Sequence, residues 1–209
     1  MRITREAKTG TRQRILKAAV RLFRRDGWET TTTRQIAAAS GIATGTLFNY
    51  FPCKEAIAAV LMAEALESAE HEFADTRRED SSLEEDLFSL IWTGLKRLRQ
   101  YREFLGPAAE TIFSPLAQFS ANRPGDEMRA RHLARVEDLM AARGRQPLRT
   151  VTLQLYWTLY RGVLAFWAAD ASPNQEDTLA LLDQSIKLFL AALDRRSAET
   201  GDSRGSPAW

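Results

Sequence analysis

Apolar residues recur at three- and four-residue spacing along nearly the whole chain, and no segment alternates with the period of two that a half-buried strand needs. No Asn-Gly or Asp-Gly hairpin signal is present. The periodicity predicts an all-α fold of about nine helices separated by Gly, Pro and polar breaks. Residues 11–26 show the pattern clearly: Ile15, Ala18, Ala19, Leu22 and Phe23 form one stripe. Arg24 and Arg25 then sit at the negative end of the helix, Gly27 provides its stop, and Trp28 follows to pack back. Further helices are expected at 33–40, 44–51, 54–73, 83–104, 108–113, 126–143, 148–170 and 175–196. The polar stretch 75–82, the loop 120–125, the break 144–147 and the Asp170-Ala171-Ser172-Pro173-Asn174 turn connect them.

The net charge of +2 hides an asymmetry. Residues 1–54 hold eleven Lys and Arg against three acids, a net +8, and the rest of the chain is net −6. A basic head on an acidic body points to a polyanionic partner at one end. The opening MRITREAKTG has no apolar stretch behind it, so no secretory signal is expected. Charges interrupt every apolar run, so neither a membrane span nor a membrane partner is expected. A single cysteine cannot make an internal disulfide, which suits a cytoplasmic protein.

The most informative stretch is 27–57, which reads GWETTTTRQIAAASGIATGTLFNYFPCKEAI. Thr32 with Gln35 fits a capping box for the helix at 33–40. Ser40-Gly41-Ile42-Ala43 joins it to the next short helix, which Pro52 follows, a helix-turn-helix pattern. In such a unit the second helix enters the major groove and its first residues face base edges. Thr44 and Thr46 offer hydroxyls and methyls, Gly45 lets the backbone come close, and Asn49 and Tyr50 lie on other faces. Arg34 stands at the second position of the preceding helix, where Thr32 and Thr33 can meet a phosphate.

Gly27-Trp28, Thr31-Thr32, Ile36-Ala37, Ser40-Gly41-Ile42, Gly45-Thr46-Leu47-Phe48, Tyr50-Phe51 and Lys54-Glu55 together resemble the DNA-binding domain of the TetR family of bacterial transcriptional regulators. The resemblance covers about residues 11–60. It implies base contact from Arg34, phosphate contact from Lys54, and a C-terminal body with a ligand pocket and a dimer interface. Three positions depart from the pattern. Ala43 replaces the usual capping Ser, Phe48 stands where Tyr is common, and Cys53 stands where a capping Ser is common. A thiol at a helix start beside Lys54 can have a lowered pKa and sense redox state, but the chain has no second cysteine to pair with it, and the alternative is a passive small residue.

The body is rich in aromatics: Phe88, Trp92, Tyr101, Phe104, Phe113, Phe119, Tyr156, Trp157, Tyr160, Phe166 and Trp167. Aromatic stripes at helical spacing are usually core, but a set this dense with Tyr and Trp polar ends suits a small-molecule site. Candidate ligand-binding residues are Phe88, Trp92, Tyr101, Glu110, Phe113, Tyr156, Trp157 and Tyr160, with Arg161 as a second charge amid apolar surroundings. In the last helix Leu179, Leu182, Ile186, Phe189 and Leu193 make one stripe, and Leu181, Leu188 and Ala192 a second. Two apolar faces on one terminal helix imply a homodimer through residues 148–196.

No metalloprotease, nucleophile-elbow or phosphate-loop motif occurs, so no catalytic residue, metal or cofactor is expected. His71 and His132 lie in charged helical segments and are expected to face solvent. The expected organisation is a helix-turn-helix DNA-binding domain over 1–53, a ligand-binding and dimerisation domain over 54–196, and a flexible tail over 197–209. The expected function is a repressor released from a palindromic double-stranded DNA operator by a small organic effector. The alternative is a helical partner-binding module without DNA binding.

Overall fold

In the computed structural model, residues 5–113 and 125–202 are described, with side chains of the last helix to 195. Nine α-helices and no strand occur among them. The described residues within Met1–His71 and Lys96–Arg131 make one compact unit, and those within Glu72–Leu95 and His132–Trp209 a second.

The first unit begins with α1 (Arg5–Asp26), which starts earlier than its apolar stripe suggests. Arg5–Gly10 bury nothing, but Thr9 and Thr11 each bond the carbonyl four residues back, continuing the helix in solvent. Gly27 closes the helix with φ 86°, its N–H donating to the Phe23 carbonyl. Trp28 then folds back so that its ring lies 5.0 Å from that of Phe23, and Phe104 meets Phe23 at the same separation. Helices α2 (Thr33–Ala39) and α3 (Thr44–Phe48) follow, and α4 (Lys54–Thr76) runs on into the second unit. The core under them is Ile15, Ala19, Leu22, Phe23, Ile36, Leu47 and Ile57.

Helix α5 (Leu83–Leu98) ends sooner than expected. A 3₁₀ turn at Arg99–Tyr101 separates it from α6 (Arg102–Ile112). The expected break at Gly106-Pro107 is absent, and Pro107 sits inside α6. Proline normally stops a helix by removing one N–H and crowding a carbonyl. Here Phe104 and Leu105 are buried before it and Ala108 and Ile112 after it, so burial of one continuous face outweighs the lost bond. Phe119 and the loop before Gly125 lie outside the described residues.

The second unit contains most of α7 (Asp126–Ala141), α8 (Thr150–Ala169) and α9 (Glu176–Asp202). Helices α8 and α9 pack against each other. The Asp170 carboxylate accepts from the Ser172 and Thr178 N–H groups and from the Thr178 hydroxyl, which holds it well below the usual carboxylate range. These bonds fix the tight turn, in which Asn174 and Gln175 adopt φ of 51° and 59°. Asp86 is almost wholly buried and accepts from Arg77 Nη2 at 2.9 Å, Arg143 Nη2 at 2.6 Å and Ser81 Oγ at 2.6 Å. Burial pushes its carboxyl up, but these partners outweigh that and hold it low. The cluster ties the end of α4 and the start of α5 to the end of α7. Helix α9 continues past the expected end at 196, and residues 203–209 of the expected flexible tail lie outside the described residues. No described helix is long and apolar enough to cross a membrane.

Candidate nucleic-acid interface

The capping box anticipated at α2 is present. The Gln35 N–H donates to Thr32 Oγ1 at 3.3 Å, and the Thr32 N–H donates to Gln35 Oε1 at 2.8 Å. The box satisfies two otherwise orphaned groups and sets the start of the helix. Thr32→Ala should lower stability by about 1 kcal/mol in denaturant unfolding without changing the helix count by circular dichroism. Thr31, just before it, is buried and donates its hydroxyl to the Gly27 carbonyl at 2.7 Å. The Thr run therefore pins the α1–α2 turn. Gly41, at φ 69°, then turns the chain toward α3.

Helix α3 stops at Phe48, three residues short of expectation, and Asn49–Phe51 continue as a turn bonded to Thr46 and Leu47. Its N-cap Ala43 makes no side-chain bond. The Thr46 and Leu47 N–H groups donate to the Ala43 carbonyl instead. Leu47 faces inward and is fully buried, while Gly45 and Asn49 are exposed and Thr44, Thr46 and Tyr50 are half-buried. Arg34 and Thr32 are exposed, and Thr33 is half-buried. The candidate residues Thr32, Thr33, Arg34, Thr44, Gly45, Thr46, Asn49 and Tyr50 thus lie on α2 and α3, which pack against each other, or directly beside their ends.

Lys54 has a second task. Its Nζ donates to the Trp28 carbonyl at 2.7 Å, faces the Glu29 carbonyl at 3.4 Å and stands 4.6 Å from the centre of the Trp28 ring. It ties the start of α4 to the turn after α1. Arg12 ties α1 itself to the middle of α4, bonding Glu64 at 2.9 Å and lying 5.8 Å over the Phe51 ring. Neither contact was legible in sequence, because each joins residues 25 or more positions apart.

The surroundings of Cys53 favour a passive small residue. Burial pushes its thiol up, and the Lys54 ammonium is directed to the Trp28 carbonyl. The low-pKa condition for redox sensing is therefore not met.

The candidate ligand residues divide between the units. Tyr101, Glu110 and Phe113 belong to the first, where Phe113 is buried and Glu110 exposed. Phe88, Trp92, Tyr156, Trp157 and Tyr160 belong to the second. Tyr156, Trp157 and Tyr160 are buried together, and the residue at their centre was expected in solvent: His132 is only 7% exposed. Its Nε2 lies 3.0 Å from the Tyr156 hydroxyl, and its ring centre 4.3 Å from that of Tyr160 and 6.2 Å from that of Trp157. Burial lowers its pKa to about 4 and pushes the Tyr156 hydroxyl well up. Both are uncharged at neutral pH. His71 is exposed, as expected. Among the remaining aromatics, Phe104 and Trp167 are core, whereas Phe166 is exposed.

The sequence matches the family described as "Bacterial regulatory proteins, tetR family" over residues 15–61. It matches "Tetracyclin repressor-like, C-terminal domain" over residues 87–201. Comparison with curated proteins gives no match. Among solved structures, the Thermus thermophilus FadR, a TetR-family transcriptional repressor in complex with lauroyl-CoA, is 23% identical with a TM-score of 0.63. The match covers 86% of this chain and 93% of that one. A TetR transcriptional regulator from Nitrosomonas europaea is 23% identical with a TM-score of 0.63, over 86% and 97% of the two chains. One from Rhodococcus sp. RHA1 is 16% identical with a TM-score of 0.66, over 86% and 97%. The two family matches cover both the helix-turn-helix and most of the body, so the chain belongs to the TetR family of transcriptional regulators, which join a DNA-binding head to a ligand-binding C-terminal domain.

Proposed function

We propose that the protein is a homodimeric repressor that holds a palindromic operator and leaves it when a small organic effector binds the body. The observation that carries this reading is the exposed face of α2 and α3, with Arg34 and Asn49 in solvent, inside a segment of net charge +8. In this reading Arg34 contacts a base edge, the start of α3 meets bases and phosphate through Thr44, Gly45 and Thr46, and Tyr50 meets the backbone. Thr32 and Thr33 present the start of α2 to a phosphate. The third proton of Lys54, beyond those directed at Trp28 and Glu29, serves a phosphate. The functional division is 1–53 for DNA and 54–196 for effector and dimerisation, with 197–209 as a tail.

The test is selection of operators from random duplexes, followed by affinity measurements across a range of salt. Affinity should fall steeply with salt, because neutralising phosphates releases counterions. Arg34→Ala should weaken operator binding by about 1–3 kcal/mol and relax preference at one base position. Arg34→Ala with an unchanged sequence profile would rule out base reading by that side chain.

The effector belongs among the aromatics of the second unit: Phe88, Trp92, Tyr156, Trp157 and Tyr160. An amphipathic organic molecule suits this set. Lauroyl-CoA, bound by the Thermus relative, is the first compound to titrate. The effector must bind the DNA-competent and incompetent forms differently to shift anything. Helix α4 is the lever: its first residue is Lys54 beside the DNA-reading head, and its far end reaches the second unit. Two recognition helices must match half-sites about 34–36 Å apart or a multiple of that, so a small tilt of α4 supports coupling of about 1–3 kcal/mol.

A further inference from the structure

Helix α3 turns one side of itself away from the core. Leu47 is fully buried, and at about 100° per residue Gly45 and Asn49 fall opposite it and Phe48 on the adjoining flank. All three are exposed. A Cβ at Gly45 would have no atom within 4 Å, so the surface beside Phe48 is open. Phe48 itself is 49% exposed. The other large apolar side chains exposed among the described residues all lie on α8 and α9. Phe48 is therefore the single such residue among the described residues of the basic head.

Its chemistry narrows what it can touch. A phenyl ring has no hydroxyl to give a phosphate and neither donates to nor accepts from a base edge. What it offers is apolar contact. In the major groove the apolar group on a base edge is the 5-methyl of thymine. Asn49, exposed next to it, carries an amide of the kind that pairs bidentately with adenine. The two neighbours thus favour the same base pair.

We propose that Phe48 reads a thymine through its 5-methyl group, so that each operator half-site carries an A·T pair opposite this ring. The proposal rests on the DNA-binding reading above and adds a base identity to it. The full-length protein selects its operator from random duplexes, and each thymine of that operator is then replaced singly by deoxyuridine, which lacks only the methyl. At one position per half-site the replacement should weaken wild-type binding about fourfold, the size expected for one methyl removed from contact. Phe48→Ala should bind the thymine operator as weakly as wild type binds the deoxyuridine one, and should not distinguish the two. Phe48→Leu, which keeps an apolar side chain, should retain part of the preference and guards against a folding effect of the smaller substitution. Equal sensitivity of wild type and Phe48→Ala to deoxyuridine at every position would overturn the proposal while leaving DNA binding intact. Failure to recover any preferred duplex would instead remove the DNA-binding reading, and this proposal with it.

Discussion

Leu188→Glu should convert the protein to a monomer and abolish tight operator binding in the same step. Leu188 is 64% exposed on α9 and shares its side with Leu181 and Ala192. On α8, Val151 is 69% exposed and Leu155 and Phe166 each 43%, and Gly162 falls on the same side at helical spacing. A Cβ at Gly162 would meet nothing within 4 Å. Helix α8 therefore buries Tyr156, Tyr160, Val163 and Trp167 on one face and shows a second apolar face to water. Exposed apolar surface of this kind favours association. In a two-fold interface each substitution enters twice, so one Leu188→Glu places two carboxylates in the contact. A monomer reaches one half-site only, and affinity should fall toward the non-specific range, a loss of about a thousandfold or more. Sedimentation of wild type and variant at micromolar concentration, with operator titration of each, checks both halves. Because Leu188 is exposed in the single chain, the variant should keep its helical signal. A monomeric wild type, or a variant that stays dimeric and bound, would defeat the reading.

What was legible in the sequence was local. The Thr32–Gln35 capping box and the stops at Gly27 and Gly41 depend on residues within four positions of one another, and the structure contains each of them. Leu182, Ile186 and Phe189 were legible as a stripe because they recur at helical spacing, and all three are buried. The misreadings have a common physical cause: tertiary burial overrode a local signal. Pro107 is a strong local stop, yet the buried face running from Phe104 to Ile112 carries the helix past it. In α7 the charges at Arg129, Arg131, Arg135 and Glu137 concealed a period of four, Met128, His132 and Val136, which faces inward. Lys54 and Trp28 are 26 residues apart, and no spacing rule could pair them. At the candidate interface, motif and exposure agree for Arg34, Gly45 and Asn49. The tie between Lys54 and the Trp28 carbonyl, and the direction of the Cys53 shift, required the folded chain.

Lowering the pH from 6.5 toward 4 should destabilise the second unit by about 3 kcal/mol through His132 alone. The size follows from a folded pKa of about 4 set by burial, against about 6.5 for an unfolded histidine, at 1.36 kcal/mol per unit. The folded chain holds His132 neutral among Tyr156, Trp157 and Tyr160, while the unfolded chain takes up a proton below about pH 6.5. The unfolded state then binds more protons, so stability falls with pH throughout this window and levels off below about 4. Asp86 and Asp170 act in a different range. Their folded pKa values are depressed, so their stabilisation is present above about pH 4 and is lost only as the pH falls further, through those lower values. The histidine window is therefore free of these two carboxylates. Denaturant unfolding at pH 7, 6, 5 and 4.5 should show wild type losing stability faster than His132→Gln, which cannot titrate and retains an amide for the Tyr156 hydroxyl. Parallel curves for the two proteins would mean that His132 is protonated in the folded chain, and hence that water or an anion reaches the centre of the aromatic cluster. A convergence of the two curves as the pH falls identifies His132 as a dry, neutral member of the cluster, hydrogen-bonded to the Tyr156 hydroxyl.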